Sequence, residues 1–473
     1  MKRVVIVGGG ITGLAAAHAL EKGQERCEVK IVEASANLGG NLVTLRHNGF
    51  IIDAGPDSWV ATKPQATRLA KDLGLGDELI GTRPDTRRVY IVWQRKLYPM
   101  PEGLVLGVPT EIKPLLESEL LGWDAKMRAG LDLLVPPRRW KEEDDETIAS
   151  FVARRLGAEV AERIAGPLLG GIFAGDPASL SVRACAPQLV EAEQEHGSLV
   201  MAMRALKEKR RSQGAVGELD PTNFLSLKRG VGDLVVNLAH KLRDAEVFSS
   251  RAARRIDQLP EGDPRGRWVV ETSAGPLHAD EVVLAVPGRV AAPLLKDVDA
   301  DLSAMCGDIE YASAATVFLA YRKFDVRHPL DAFGFLVPRA ENRPILACTF
   351  VSSKWDHRAP AGQILLRLFL GGAGNEQICE RDDADLIRLA RTQVLDLLDI
   401  DRAPMFAKVF RFMRGSPQPF VGHVTRMRQL LDRASTHPGL HIGGNGYRGM
   451  GISDAIRQGE EIAARIAPPA VTG

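Results

Sequence analysis

Apolar and polar positions follow two periods along this chain, and the changes of period mark its elements. The unbroken apolar run Val4-Val5-Ile6-Val7 reads as a buried strand, and the small apolar residues from Leu14 to Leu20 read as a helix. Val29 to Val32 reads as a second strand, and Leu440 to Gly443 as another near the opposite end. Ile452, Ile456, Ala463 and Ile466 fall at helical spacing, which predicts a helix from Ile452 onward. From Pro101 to about Leu206 the pattern is helical, punctuated by Pro109, Pro114, Pro136 and Pro137. Gly214 to Asn223 is polar and loop-like. Strands are predicted at Val89–Trp93, Trp268–Thr272, Glu281–Val286, Ala315–Ala320, Gly334–Val337 and Ile364–Leu370, and an amphipathic helix over Asp383–Leu398. The chain shows no internal repeat.

The turn between the first strand and helix is Gly8-Gly9-Gly10-Ile11-Thr12-Gly13, and Glu33 follows the second strand. Strand, glycine turn, helix and acid together form a dinucleotide-binding fingerprint in its full context. Gly8 permits the tight turn, Gly10 lets backbone approach a pyrophosphate, and Gly13 lets the helix pack against the strand. The helix N-terminus turns free N–H groups and a positive dipole end toward the phosphates. Glu33 can accept from a ribose hydroxyl, and its charge disfavours a 2′-phosphate. The bland reading is a glycine turn that binds nothing.

A second glycine turn follows, Ala34-Ser35-Ala36-Asn37-Leu38-Gly39-Gly40-Asn41, and a third lies at Gly444-Asn445-Gly446-Tyr447-Arg448-Gly449-Met450-Gly451 before the last helix. A nicotinamide cofactor needs no such second close approach, whereas an extended FAD does. The last helix N-terminus could stabilise the negative charge of a reduced flavin. Asp53-Ala54-Gly55-Pro56-Asp57-Ser58 reads as a turn whose backbone can lie under the ring system. FAD is therefore the expected cofactor, held by both ends of the chain.

At 473 residues the chain exceeds a single core, so two or three domains are expected. A formal net charge of +1 argues against bulk attraction to nucleic acid or acidic lipid. The five cysteines (Cys27, Cys185, Cys306, Cys348 and Cys379) are scattered without CxxC spacing, and the histidines form no metal-binding pattern. A reducing compartment, no disulfide framework and no metal site are expected. No signal peptide precedes the first strand and no run of 18 apolar residues occurs, which predicts a cytoplasmic protein.

Several motifs are more specific than the fingerprint: Gly55-Pro56-Asp57-Ser58, Asp145-Glu146-Thr147 with Phe151-Val152-Ala153-Arg154-Arg155-Leu156-Gly157, and Gly170-Gly171-Ile172-Phe173-Ala174-Gly175-Asp176. Gly334-Phe335-Leu336-Val337-Pro338 and the Gly444–Gly451 motif complete the set. On these residues the whole chain resembles the FAD-dependent protoporphyrinogen/coproporphyrinogen oxidases of haem biosynthesis, within the amine oxidase-like flavoproteins. Two positions depart from the family pattern. Asn41 stands where a basic residue is usual, and Ala455 where the motif has Cys.

The resemblance implies an α/β fold, with a Rossmann-like FAD-binding domain of discontinuous segments (1–60, 215–300 and 405–473). It also implies an α+β substrate domain (61–100 and 301–404) and an inserted helical domain (101–214). It carries cofactor contacts to Gly8, Gly9, Gly10, Ile11, Thr12, Gly13, Glu33, Ala34, Gly39, Gly40, Asn41, Gly55, Pro56, Asp57 and Ser58. Val247, Phe412, Gly444, Asn445, Gly449, Met450, Gly451 and Ile452 join them. The implied reaction is six-electron oxidation of a porphyrinogen in three flavin rounds with dioxygen as acceptor, so no catalytic side chain is nominated. Arg88 resembles the residue that binds a propionate tail, with Arg87 beside it as a second candidate. The Gly175 carbonyl resembles the acceptor for pyrrole N–H groups, while Phe333, Leu336 and Phe369 match apolar positions around the macrocycle. Each of these also has a bland reading as a solvated arginine or core residue.

A single clear arginine favours protoporphyrinogen IX, with two tails, over coproporphyrinogen III, with four, although Lys63 and Arg68 could serve additional carboxylates. The apolar segment Leu104–Trp140, with Leu106, Leu115, Leu116 and Trp123, resembles a membrane-resting helical region in relatives. Its alternative is a helical layer packed on the substrate domain. A homodimer and hand-over of product to a ferrochelatase are further expectations from the resemblance. The competing functions are another oxidase or desaturase of the same superfamily and a non-catalytic flavoprotein. A covalently flavinylated amine oxidase would want a cysteine near the last glycine motif, yet Cys379 is the last in the chain.

Overall fold

The computed structural model describes residues 1–105, 107–109, 112–202, 204–205 and 224–468. Leu106, Leu206 and the polar segment 214–223 lie outside the described residues.

Two sheets position everything else. The first has five parallel strands in the order Glu246–Phe248, Cys27–Val32, Lys2–Val7, Glu281–Leu284 and Leu440–Ile442. Its central strands become apolar and buried toward their C-terminal ends, at Val4–Val7 and Val282–Leu284, because both faces are covered there, as all-parallel sheets require. On one face lie the first helix, Ile11–Glu21, and the last, Ile452–Ile466, sharing a core of Leu14, Ala16, Ile31, Ile456 and Ala463. The two helices cross closely: a Cβ at Gly459 would lie 2.4 Å from the Thr12 carbonyl oxygen. The other face packs against an antiparallel meander (Ala253–Gln258, Trp268–Thr272 and Gly275–Ala279) through Val5, Val32, Ile256 and Trp268. Chain termini far apart in sequence thus complete one sheet.

The second sheet has seven strands, in the order Phe406–Pro417, Tyr311–Arg322, Gln363–Gly371, Ile345–Phe350, Gly334–Leu336, Val89–Trp93 and Lys96–Pro99. Its register decides which side chains share a face. Leu336 pairs with Ala347, Ala347 with Phe369, Phe369 with Thr316 and Thr316 with Phe410. Residues offset by one (Val317, Leu366, Leu368, Leu370) turn the other way, onto Leu386, Ala390 and Val394 of the helix Asp383–Leu398. The predicted strands Ala315–Ala320 and Ile364–Leu370 are found, each longer than expected.

The strand Phe406–Pro417 belongs to this second sheet, whereas the sequence division groups it with the cofactor segments. Phe406 and Phe410 face one core and Ala407 and Val409 the other, but Lys408 and Arg411 interrupt the alternation that would reveal it. The segment after Pro101 begins with short paired strands, Leu104–Val105 and Val108–Pro109, before the expected helices start. In that helical layer Arg155 is fully buried. It donates to Asp132 Oδ1 at 2.7 Å and to the carbonyls of Asp132, Val135 and Gly197. Among the described residues no helix is long and apolar enough to cross a membrane.

The helix His423–Ser435 begins at a buried histidine beside Gly446. Burial, reinforced by the Arg426 charge, lowers His423 to about 4. Because the folded value lies below the ordinary one, the unfolded chain binds the extra proton. Stability is full above pH 6.5 and is lost progressively as the pH falls toward about 4. Urea midpoints measured across this range should fall with a slope that His423→Gln flattens, recovering on the order of 2–3 kcal/mol.

Candidate cofactor and substrate site

The C-terminal ends of the first sheet gather the three glycine turns. The first strand stops at Val7, and Gly8, at φ +110°, turns the chain into the helix that starts behind Gly10. A Cβ at Gly8 would lie 2.5 Å from the Ala285 carbonyl oxygen, and one at Gly13 only 2.1 Å from that of Gly8. These two glycines are required by the fold itself. Gly10 differs: its φ is −73°, and a Cβ there would meet nothing within 4 Å. The fold leaves space in front of Gly10 without needing its missing side chain. No side chain caps the helix, so the leading N–H groups of Ile11, Thr12 and Gly13 face that space with the positive dipole end.

Gly39 N–H donates to the Gly9 carbonyl at 2.8 Å, and Gly10 and Gly39 form an isolated parallel bridge. Glu33 Oε2 accepts from Gly9 N–H at 2.8 Å, while Oε1 accepts from the Ser35 backbone and hydroxyl, each at 2.8 Å. Ala34 and Gly40 are exposed beside it. Val247 lies in the strand next to Ile31 and is 37% exposed.

The Gly55 turn rests directly on the second glycine turn. A Cβ at Gly55 would lie 2.0 Å from the Asn41 carbonyl oxygen and 3.4 Å from the Phe412 ring. The Asn41 side chain donates to the Gly415 carbonyl at 3.3 Å, on the strand that carries Phe412. Asp57 is held by Lys354 Nζ at 2.9 Å, Trp355 Nε1 at 3.1 Å and Ser58 Oγ at 2.7 Å. Burial pushes its carboxyl up, but the Lys354 and Arg367 charges outweigh that and hold it well below the ordinary range. Pro56 is exposed at the tip of the turn.

Arg367 is the residue that sequence reasoning missed. It is buried on the inner face of the second sheet and donates to the carbonyls of Ala54 at 2.9 Å and Gly55 at 2.6 Å. Thr316 Oγ1, on the neighbouring strand, donates to the Ala54 carbonyl at 3.0 Å. Burial lowers the Arg367 guanidinium, and Asp57 and Asp53 pull it back up. Its guanidinium also lies 4.3 Å from the centre of the Phe369 ring. The signal was present as a lone charge in the apolar run Ile364-Leu365-Leu366-Arg367-Leu368.

At the third turn, Gly444 N–H donates to Gln458 Oε1 at 3.2 Å, and Asp454 caps the last helix by accepting from Gly451 N–H at 3.3 Å. Gly449, at φ +101°, packs against Asp454, while Asn445 and Met450 lie in the same loop ahead of Ile452. Tyr447 is buried and donates to the Val286 carbonyl at 3.1 Å.

The inner face of the second sheet carries half-buried Leu336 and Phe369, which line the candidate substrate cleft. Its opposite wall is the helix Gly166–Phe173, where Leu336 meets Gly171 and Ile172 remains 57% exposed. Ala174 ends that helix in the left-handed region, at φ 48°. A Cβ at Gly175 would lie 2.6 Å from Gln418 Oε1. Ala373 N–H donates to the Ala174 carbonyl at 2.8 Å, tying this loop to the end of the strand bearing Phe369. Phe333 N–H donates to the Arg88 carbonyl at 2.8 Å. The Arg88 guanidinium is 61% exposed and lies 3.7 Å from Asp331. Arg87 is half-buried and has interaction partners of its own. Lys63 and Arg68 do not face the cleft as free cations: they pair with Asp454 and Glu460 of the last helix.

The flavin-containing amine oxidoreductase profile matches residues 11–467. The chain belongs to that family. The coproporphyrinogen III oxidase of Bacillus subtilis (strain 168) is 35% identical over 468 residues, covering 97% of this chain and 96% of that one. A second coproporphyrinogen III oxidase, from Staphylococcus aureus (strain NCTC 8325 / PS 47), is 31% identical over 98% of this chain and 99% of its own. A crystal structure from Exiguobacterium sp. 255-15, provisionally named a protoporphyrinogen oxidase, superposes with a TM-score of 0.86 at 31% identity, covering 98% of both chains. As a member of this family the protein is an FAD-dependent oxidoreductase. The open space before Gly10, the uncapped helix and the Glu33 carboxylate fit the cofactor's pyrophosphate and ribose.

The contrast between Gly10 and Gly13 gives a direct test of that fit. Gly10→Ala should leave the far-ultraviolet circular dichroism of the apoprotein unchanged while lowering FAD affinity at least tenfold. Gly13→Ala should instead impair folding itself. Equal flavin content in wild type and Gly10→Ala would contradict this assignment.

Proposed function

We propose that the protein oxidises coproporphyrinogen III to coproporphyrin III in haem biosynthesis. The observation that carries this reading is the 35% identity, over 97% of the chain, to a protein named for that substrate. The geometry supports it. Leu336, Phe369 and Ile172 offer apolar walls to a macrocycle, and Arg367 fixes the turn against which the cofactor rests. Bound FAD supplies the acceptance of electron pairs and their return to dioxygen. The chain's own residues orient the ring, exclude water from the cleft and hold the acidic tails.

Two cations flank the short strand Gly334–Leu336. Arg88 lies at one end, bonded through its backbone to Phe333. Arg339 lies at the other, half-exposed, donating to the Ala373 carbonyl at 2.9 Å and 3.6 Å from Asp176. A four-tailed substrate can engage both ends, which a single tail-binding arginine does not require. Protoporphyrinogen IX is the second reading, favoured by the sequence argument from one arginine. The product of either reaction is a free porphyrin, a substrate for metal insertion by a ferrochelatase.

Steady-state turnover under air, followed by porphyrin fluorescence, tests the choice. Coproporphyrinogen III should be preferred, and Arg88→Ala and Arg339→Ala should each raise its KM about 10–100-fold with kcat little changed, as loss of a charged hydrogen bond predicts. Preference for protoporphyrinogen IX with Arg339→Ala silent would favour the second reading. No turnover on either substrate by the FAD-loaded protein would overturn both.

Peripheral membrane contact is part of the same proposal. Trp123, Met127, Leu131 and Leu134 form a stripe on the helical layer, exposed by 70%, 67%, 46% and 77%. Co-sedimentation with phospholipid vesicles should be measurable and should fall when Trp123→Ser and Leu134→Ser are combined. Absence of binding by the wild-type protein would remove this part of the proposal.

A further inference from the structure

A cavity of about 510 Å³ lies beside the first sheet, between the helices His423–Ser435 and Ile452–Ile466. Its floor is the edge strand Leu440–Ile442. Arg428, Arg448 and Arg465 line it together with His437 and His441, over an apolar base that includes Leu431. The cleft assembled from Leu336, Phe369 and Arg88 shares none of these residues.

Arg428 is paired with Glu142 on the helical layer, whereas Arg448 and Arg465 are incompletely neutralised. Glu461 pairs with Arg448 at 2.6 Å and also with Arg457 at 2.8 Å, so one carboxylate serves two guanidiniums. The Arg448 Nε is buried with no hydrogen-bond partner. Among the described residues Arg465 makes no ion pair or hydrogen bond. Burial and the Arg448 charge push its guanidinium below the ordinary value, with Glu461 pulling the other way. His437 and His441 are each held at 2.8 Å by a carboxylate of their own, Asp299 and Glu281. Asp432 also lines the cavity and is the acidic group that opposes an anion there.

The strand edge adds backbone donors. Val282 N–H donates to the Gly439 carbonyl and Gly443 N–H to the Leu284 carbonyl, so the residues that bond inward are 439, 441 and 443. Ile442 therefore turns its N–H away from the sheet, at an edge with no further strand. Two guanidiniums and an outward-turned N–H lining one cavity suit a carboxylate or phosphate group. The volume falls in the range of about 300–1,000 Å³ typical of small-ligand sites.

We propose that this cavity is a second binding site, accepting a small organic anion whose carboxylate or phosphate groups bridge Arg448 and Arg465. The site stands apart from the porphyrinogen reading and does not depend on it.

The test uses the FAD-loaded protein and two probes, citrate and pyrophosphate, titrated against sodium chloride at matched ionic strength. Thermal unfolding and isothermal calorimetry should report saturable binding of at least one probe, with no matching effect of chloride. Arg465→Gln changes an exposed residue outside the glycine turns, and it should weaken binding at least tenfold while leaving flavin content unchanged. Arg428→Gln provides a second variant on a different helix and should also weaken binding. Tighter binding of citrate would identify a carboxylate ligand, and of pyrophosphate a phosphate ligand. Non-saturable shifts equal to those of chloride, or binding unchanged in both variants, would overturn the proposal.

Discussion

The close approach of three backbone segments governs this molecule. Gly39 N–H bonds to the Gly9 carbonyl, and Gly55 lies so near Asn41 that no side chain fits between them. These contacts come from residues 9, 39–41 and 53–58, which belong to different elements and must arrive together. The result is an unfilled space in front of Gly10 and an uncapped helix end. A cofactor with a pyrophosphate completes both, supplying the anion that the helix dipole favours and the atoms that the glycine lacks.

The second sheet depends on the same contacts. Arg367 and Thr316 reach from its inner face to the carbonyls of Ala54 and Gly55, so the turn that rests on Asn41 is also bonded to the second sheet. A buried guanidinium is costly unless it is compensated, and here one amino group donates to two carbonyls while the nearby Asp57 and Asp53 charges offset the burial; its Nε stays unpartnered. Because register places Leu336, Ala347, Phe369 and Thr316 on one face, the apolar cleft begins where the anchored turn ends. The sheet face that anchors the Gly55 turn thus also carries the half-buried apolar side chains Leu336 and Phe369.

The strand, glycine turn and helix and the FAD cofactor were legible in the sequence, because glycine spacing, a strand and an acid are local signals. Gly13 and Glu33 act over short separations, whereas the carbonyl that leaves no room for a side chain at Gly8 belongs to Ala285. Arg367 was not legible, since its partners Ala54 and Gly55 are more than three hundred residues away. The strand Phe406–Pro417 was hidden because both of its faces are packed and two charges break its alternation. Lys63 and Arg68 looked available for substrate tails until their carboxylate partners on the last helix came into view. The second arginine beside the cleft, Arg339, depends on the loops that bring Asp176 and Ala373 to it. Local chemistry could be read from the chain; pairings between distant segments could not.

On the proposed function, a porphyrinogen in the Leu336–Phe369 cleft delivers its electrons directly to the FAD at the glycine turns. Anaerobic mixing of the FAD-loaded protein with coproporphyrinogen III, followed by flavin absorbance in a stopped-flow instrument, tests it most directly. Direct transfer requires complete and rapid bleaching, reversed with porphyrin fluorescence when air is admitted. A flavin that stays oxidised in the presence of both coproporphyrinogen III and protoporphyrinogen IX would contradict it.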